Sequence, residues 1–179
     1  MKNNFTFLHT VGDGSCLIHA VLQAFNKEYN NLTNDSQKSK LVKEVRYHLS
    51  QVLEIKFPDE KNLYQKLSRG ELENISKEIP EASLNYMKKY LNSNNFLTLQ
   101  YIEILSEIFN VNIIFFSREK ENFYQHGDNE LLFKKNRDTI FINYIQDTHY
   151  ETISINKKTL FKPGDNIVKK ALKKLLYKG

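Results

Sequence analysis

The chain has 179 residues, a formal net charge of +5 and one cysteine. That length fits one domain able to bury about 70% of its unfolded surface, and a lone cysteine excludes an intramolecular disulfide and fits a reducing compartment. The charge is uneven: residues 157–179 carry eight lysines and one aspartate, which leaves residues 1–156 at −2.

The first segment with chemistry in it is Val11-Gly12-Asp13-Gly14-Ser15-Cys16. Two glycines around an aspartate, then a serine suited to capping, predict a turn. The run Leu17–Phe25 is apolar and free of proline and glycine, which predicts a buried helix. A thiol at a helix start faces unpaired N–H groups and the positive end of the helix dipole, which draw it towards thiolate. The alternative is a small buried core thiol, common for free cysteine. His19, one turn further along, is read as structural, because a base at that spacing would compete with the helix for alignment.

Residues 30–35 predict a loop and residues 36–55 a second helix with Leu41, Val45, Leu49, Val52 and Leu53 on one stripe, stopped by Pro58. Shorter helices are expected at 60–68, 71–79 and 82–92, divided by Gly70 and Pro80, and another at 97–109. The run 111–116 is apolar on both faces except at Asn112, the pattern of a central buried strand. A hairpin with its turn at 125–129 and Leu131-Leu132-Phe133 returning follows, then strands at 139–145 and 150–156. The C-terminal stretch 167–177 puts Val168, Leu172, Leu175 and Leu176 on one helical face and lysines on the other. A packing helix with a solvated lysine face is expected; contact with anionic lipid is the less favoured reading, and nothing beyond charge supports nucleic-acid binding.

His149 stands at the start of the last strand, placed to meet a cysteine on a buried helix. Positions 149 and 151 share one strand face about 7 Å apart, so Glu151 is expected to reach back and fix the imidazole tautomer. Nucleophile, base and orienting acid would then come from distant parts of the chain. The other histidines, 9, 48 and 126, do not cluster, and no Walker loop, zinc spacing or dinucleotide glycine pattern occurs, so no metal or cofactor is expected. With no apolar run of signal-peptide or membrane-spanning length, a soluble intracellular protein is expected.

Asp13-Gly14-Ser15-Cys16-Leu17-Ile18-His19-Ala20 resembles the nucleophile motif of the ovarian tumour (OTU) deubiquitinases, and His149-Tyr150-Glu151 resembles their histidine motif. Asn95-Phe96, a helix to Phe109 and the strand from Val111 are similar to the family's helix-then-central-strand segment. Here Phe96-Leu97-Thr98 replaces the usual Trp-Gly-Gly opening, and Glu151 replaces the more usual Asp or Asn. The resemblance covers roughly residues 7–156. It implies an α+β, papain-like OTU fold, with a small, mostly antiparallel sheet late in the chain surrounded by helices. Residues 1–160 would be the catalytic domain and 161–179 a basic helix, as packed extension or tail.

The implied function is a thiol-dependent deubiquitinase that hydrolyses isopeptide bonds after the C-terminal glycine of ubiquitin through Cys16, His149 and Glu151. The main chain of Asp13 and Gly14, with the Cys16 N–H, would form the oxyanion loop, and Asp13 is the second candidate for the acid. Tyr150 would pack beside the scissile bond or anchor its strand. The expected partner is ubiquitin or polyubiquitin, bound by a monomer in the cytoplasm, or in the host cytoplasm if the source is a pathogen. The alternatives are a papain-like thiol hydrolase for another ubiquitin-like modifier and a non-catalytic ubiquitin-binding module. Against the second stand the intact Cys16, His149 and Glu151.

Overall fold

The run that is apolar on both faces is strand β2 (Val111–Ser117) at the interior of a five-stranded sheet, in a computed structural model that describes residues 3–67, 76–98, 101–125, 133–145 and 148–176. The other strands are β1 (Phe5–Leu8), β3 (Asn122–Tyr124), β4 (Asp138–Ile145) and β5 (His149–Ile155), in the order β1-β5-β4-β2-β3. Only β2 and β4 run parallel; the other three pairings are antiparallel. Because side chains alternate across a strand, Ile113, Phe115, Ile140, Ile142 and Tyr150 enter one core while Ile114, Phe116, Phe141, Ile153 and Ile155 enter a second on the opposite face. Asn112, the polar exception in β2, is fully buried; its Nδ2 donates to Lys134 O (2.9 Å) and its Oδ1 accepts the Lys134 N–H (2.8 Å).

The first core is covered by helices α1 (Cys16–Phe25), α2 (Lys27–Asn30), α3 (Asp35–Val52), α4 (Leu63–Lys66), α5 (Leu84–Leu91) and α6 (Ile102–Phe109). Asn34 caps α3 by accepting the Gln37 N–H, and Asn110 ends α6 in the left-handed conformation that asparagine tolerates. The helix α7 (Asn166–Leu176) closes the second core with Val168 and Ala171, both buried. Lys170, Lys173 and Lys174 edge an aromatic-floored pocket with Phe5, Phe7, Phe116 and Phe123. Among the described residues no helix is long and apolar enough to cross a membrane.

Several expectations need correction. The sheet is not confined to the late chain, because β1 opens it and pairs Phe5 with Ile155 and Leu8 with Thr152. A turn at 118–121 brings β3 back onto β2 through Phe116 and Phe123; the hairpin expected with its turn at 125–129 is not tested, because residues 126–129 and Leu131-Leu132 lie outside the described residues, as does most of the helix expected at 71–79. On α3 the fully buried positions are Val42, Arg46, Leu49 and Ser50, with Leu41, Val45 and Val52 only half buried. Helix α6 starts at Ile102 rather than 97, and the Leu97 N–H donates to the Gly14 carbonyl (3.1 Å), which holds this segment against the turn before α1.

Candidate active site

Cys16 is the first residue of α1 and 2% exposed. The turn before it is built by side chains. Asp13 Oδ1 accepts the Ser15 N–H at 3.0 Å, an Asx-type turn, and Asp13 Oδ2 accepts from Ser39 Oγ and from His19 Nε2 at 2.8 Å. Ser15 occupies the N-cap position but does not cap; its Oγ accepts from Arg46 Nη1 at 2.9 Å. Gly14 has φ +82°, and a Cβ there would lie 2.6 Å from the Asn94 carbonyl oxygen. Glycine is therefore required by the neighbouring 94–97 segment, whatever it also permits towards a substrate.

The helix that Cys16 begins packs against β5, where Thr152 Oγ1 donates to the Ala20 carbonyl at 2.7 Å. Burial pushes the Cys16 thiol above its ordinary value, the Asp13 charge adds to this, and the backbone N–H groups of Tyr150, Cys16 and Leu17 pull the other way without prevailing. The helix start, expected to draw the sulfur towards thiolate, is thus outweighed by desolvation. The resting site holds a thiol that needs a base. Alkylation of Cys16 by iodoacetamide is expected to have its pH midpoint above that of an unperturbed cysteine, about 8.5; a midpoint below neutrality would show a preformed ion pair instead.

His149 sits half-buried at the strand start, its ring centroid 6.2 Å from that of His9. Its Nε2 lies 2.9 Å from Thr10 Oγ1. Glu151 does not reach the ring: its Oε1 accepts from Asn143 Nδ2 at 3.2 Å across the β4–β5 ladder. Nor does Asp13, whose carboxylate is consumed by Ser15, Ser39 and His19. Among the described residues no Cys16–His149 hydrogen bond is formed, as is common before substrate tightens a site. Tyr150 is fully buried, stacked between Phe96 (5.7 Å) and Tyr144 (4.8 Å). Its side chain anchors the strand, and Phe96 covers it from the Phe96-Leu97-Thr98 segment that stands in place of Trp-Gly-Gly. No three His, Cys, Asp or Glu side chains converge as a metal site among the described residues.

Sequence reasoning missed Arg46 and Thr10. Arg46, 2% exposed, donates Nε to Leu91 O (2.8 Å), Nη2 to Tyr90 O (2.9 Å) and Nη1 to both Asn95 O and Ser15 Oγ (2.9 Å each). One planar fork thus ties α3, the 90–95 segment and the nucleophile turn together. The signal was present, since Arg46 shares the helical stripe of Val42, Leu49 and Leu53, but a charge on such a stripe does not register as core. Arg46→Met is expected to cost about 3–5 kcal/mol in urea unfolding, because it strands buried acceptors. Arg46→Lys should cost nearly as much, keeping the charge but losing the fork; a lysine variant of wild-type stability would show that charge alone matters.

A family model described as OTU-like cysteine protease matches residues 11–150. No curated protein matches the chain. Among solved structures, an ovarian tumor (OTU) domain in complex with ubiquitin is 16% identical, covers 98% of this chain and 85% of its own, and superposes with a TM-score of 0.61. An OTU deubiquitinase from Wolbachia pipientis wMel is 14% identical, covers 87% and 92%, and gives 0.52; the OTUD1 OTU domain is 16% identical, covers 84% and 86%, and gives 0.51. At these identities the structures establish a shared fold.

Proposed function

The protein belongs to the OTU-like cysteine protease family, and on that premise we propose that it is a deubiquitinase hydrolysing isopeptide bonds after the C-terminal glycine of ubiquitin. The observation that carries the reading is the packing of the buried helix that begins with Cys16 against the strand that begins with His149, tied by Thr152 Oγ1 donating to the Ala20 carbonyl at 2.7 Å. In the proposed cycle His149 takes the Cys16 proton, and the sulfur attacks the glycine carbonyl. The Cys16 N–H, free of an intrahelical acceptor at its position, donates to the oxyanion together with the main chain of the 13–14 turn, each donor worth about 3 kcal/mol. His149 then protonates the departing lysine amine, and water attacks the thioester, returning the thiol and a free carboxylate.

Ubiquitin as substrate is supported by the neighbour whose structure contains it. The same reading makes residues 1–160 the catalytic domain and 161–179 a basic helix, as packed extension or tail. It also requires a reducing cytoplasm, since oxidation of the sole cysteine would end turnover. The test is ubiquitin carrying a C-terminal electrophile, run beside an equivalent ubiquitin-like modifier probe. Wild type is expected to form a covalent adduct with the ubiquitin probe at Cys16. Labelling by the modifier probe alone would move the substrate to another modifier, and binding without an adduct would leave a non-catalytic module.

A further inference from the structure

Thr10 follows β1 and precedes the nucleophile turn; it is 2% exposed. Its Oγ1 makes two contacts, to the Tyr150 carbonyl at 2.5 Å and to His149 Nε2 at 2.9 Å. A hydroxyl has one proton and two lone pairs, whereas a carbonyl can only accept. The Thr10 proton is therefore committed to Tyr150 O, and the oxygen facing the ring must accept. It follows that neutral His149 carries its proton on Nε2. The lone pair is then on Nδ1, a nitrogen to which no described residue hydrogen-bonds.

We propose that Thr10, rather than Glu151 or Asp13, is the positioning residue that fixes His149 as the Nε2–H tautomer and presents Nδ1 to Cys16 as the base. The assignment rests on the reading of His149 as that base. Both carboxylates are occupied elsewhere, Glu151 by Asn143 and Asp13 by His19, Ser39 and Ser15. The residue after His149 completes the arrangement, since its carbonyl accepts the Thr10 proton and so orients the hydroxyl that holds the ring. When Nδ1 accepts the thiol proton, the Nε2–H bond to Thr10 becomes charge-assisted and strengthens, so the contact favours the state in which the ring is charged. A neutral hydroxyl sets the tautomer without placing a fixed negative charge beside the ring, which agrees with a site that rests as thiol rather than ion pair.

The test reads the tautomer directly. Long-range ¹H–¹⁵N spectra of labelled protein, recorded near pH 8 where an ordinary imidazole is neutral, should give the Nε2–H pattern for His149, assigned by its loss in His149→Gln. Thr10→Val, which removes both hydrogen bonds at nearly constant shape, should relax the ring from a single Nε2–H form to the tautomer mixture of a free imidazole and slow iodoacetamide alkylation of Cys16 by about ten- to a hundred-fold. Thr10→Ser should retain the pattern and stay within about three-fold of the wild-type alkylation rate. Glu151→Gln should leave the tautomer unchanged. A wild-type Nδ1–H tautomer would overturn the proposal even if Thr10→Val failed to fold. So would an unaltered pattern and rate in folded Thr10→Val, or a shift produced by Glu151→Gln alone. Neither readout uses ubiquitin, so a wild type that ignores the ubiquitin probe yet shows Thr10-dependent tautomer and alkylation would refute the substrate reading and keep this one.

Discussion

Cys16→Ala is expected to lower cleavage of a ubiquitin C-terminal amide to below about one part in a thousand of wild type. No second thiol exists in the chain to substitute, and alanine offers no nucleophile and no proton for the proposed base, His149. The fold should survive, because the sulfur is one small buried atom at the edge of the first core and its loss should cost about 1 kcal/mol. A thermal melt by circular dichroism alongside the cleavage assay separates the two outcomes. A variant that melts near wild type with turnover well above that floor would point to another nucleophile, and a variant that unfolds would return Cys16 to the role of a core thiol. Because the resting sulfur is protonated, alanine removes little charge from the site, so tight binding of intact substrate by the variant should persist.

Those parts of the molecule whose residues act through local chemistry were legible in the sequence. The turn Gly12–Ser15, the helix from Cys16 and the two-faced apolar β2 are each declared by composition and spacing, and the histidine strand by its alternation. What the sequence concealed is what long-range packing decides. The four residues of β1 are too short a run to outweigh the helices that follow, and they become a strand only because β5 offers its edge. Ser15 looks like a cap but is claimed by Arg46 from 31 residues away. Glu151 shares a strand face with His149, yet the sheet places Asn143 opposite it, and the cross-strand partner wins. Thr10 carries no pattern at all; its contact with His149 spans 139 residues of chain.

The two histidines nearest the motifs should separate cleanly. His149→Ala is expected to lower kcat/KM by at least about a thousand-fold at neutral pH, since in the proposed cycle it removes both the acceptor of the thiol proton and the donor to the leaving amine. His19→Ala should instead cost stability, about 2–4 kcal/mol, with activity retained below its melting temperature. His19 is wholly buried, its Nε2–H donating to Asp13 at 2.8 Å and its Nδ1 accepting from Tyr29 Oη at 2.7 Å, so neither nitrogen is available for chemistry. Burial holds it below its usual value of 6.5, against the pull of Asp13, and it is neutral in the folded protein. A base depressed by folding contributes stability that is complete above the unfolded value and lost as pH falls through it. Asp13 is also depressed: burial opposes this, but Ser39, His19 and the Ser15 N–H prevail. Its contribution is therefore lost only at lower pH, below about 4. The wild-type melting temperature should therefore fall in two stages on acidification, the first beginning near pH 6.5 and absent from His19→Ala. If His19→Ala abolishes turnover in a well-folded protein while His149→Ala does not, the base has been assigned to the wrong histidine, and the Asp13–His19 pair becomes the catalytic couple.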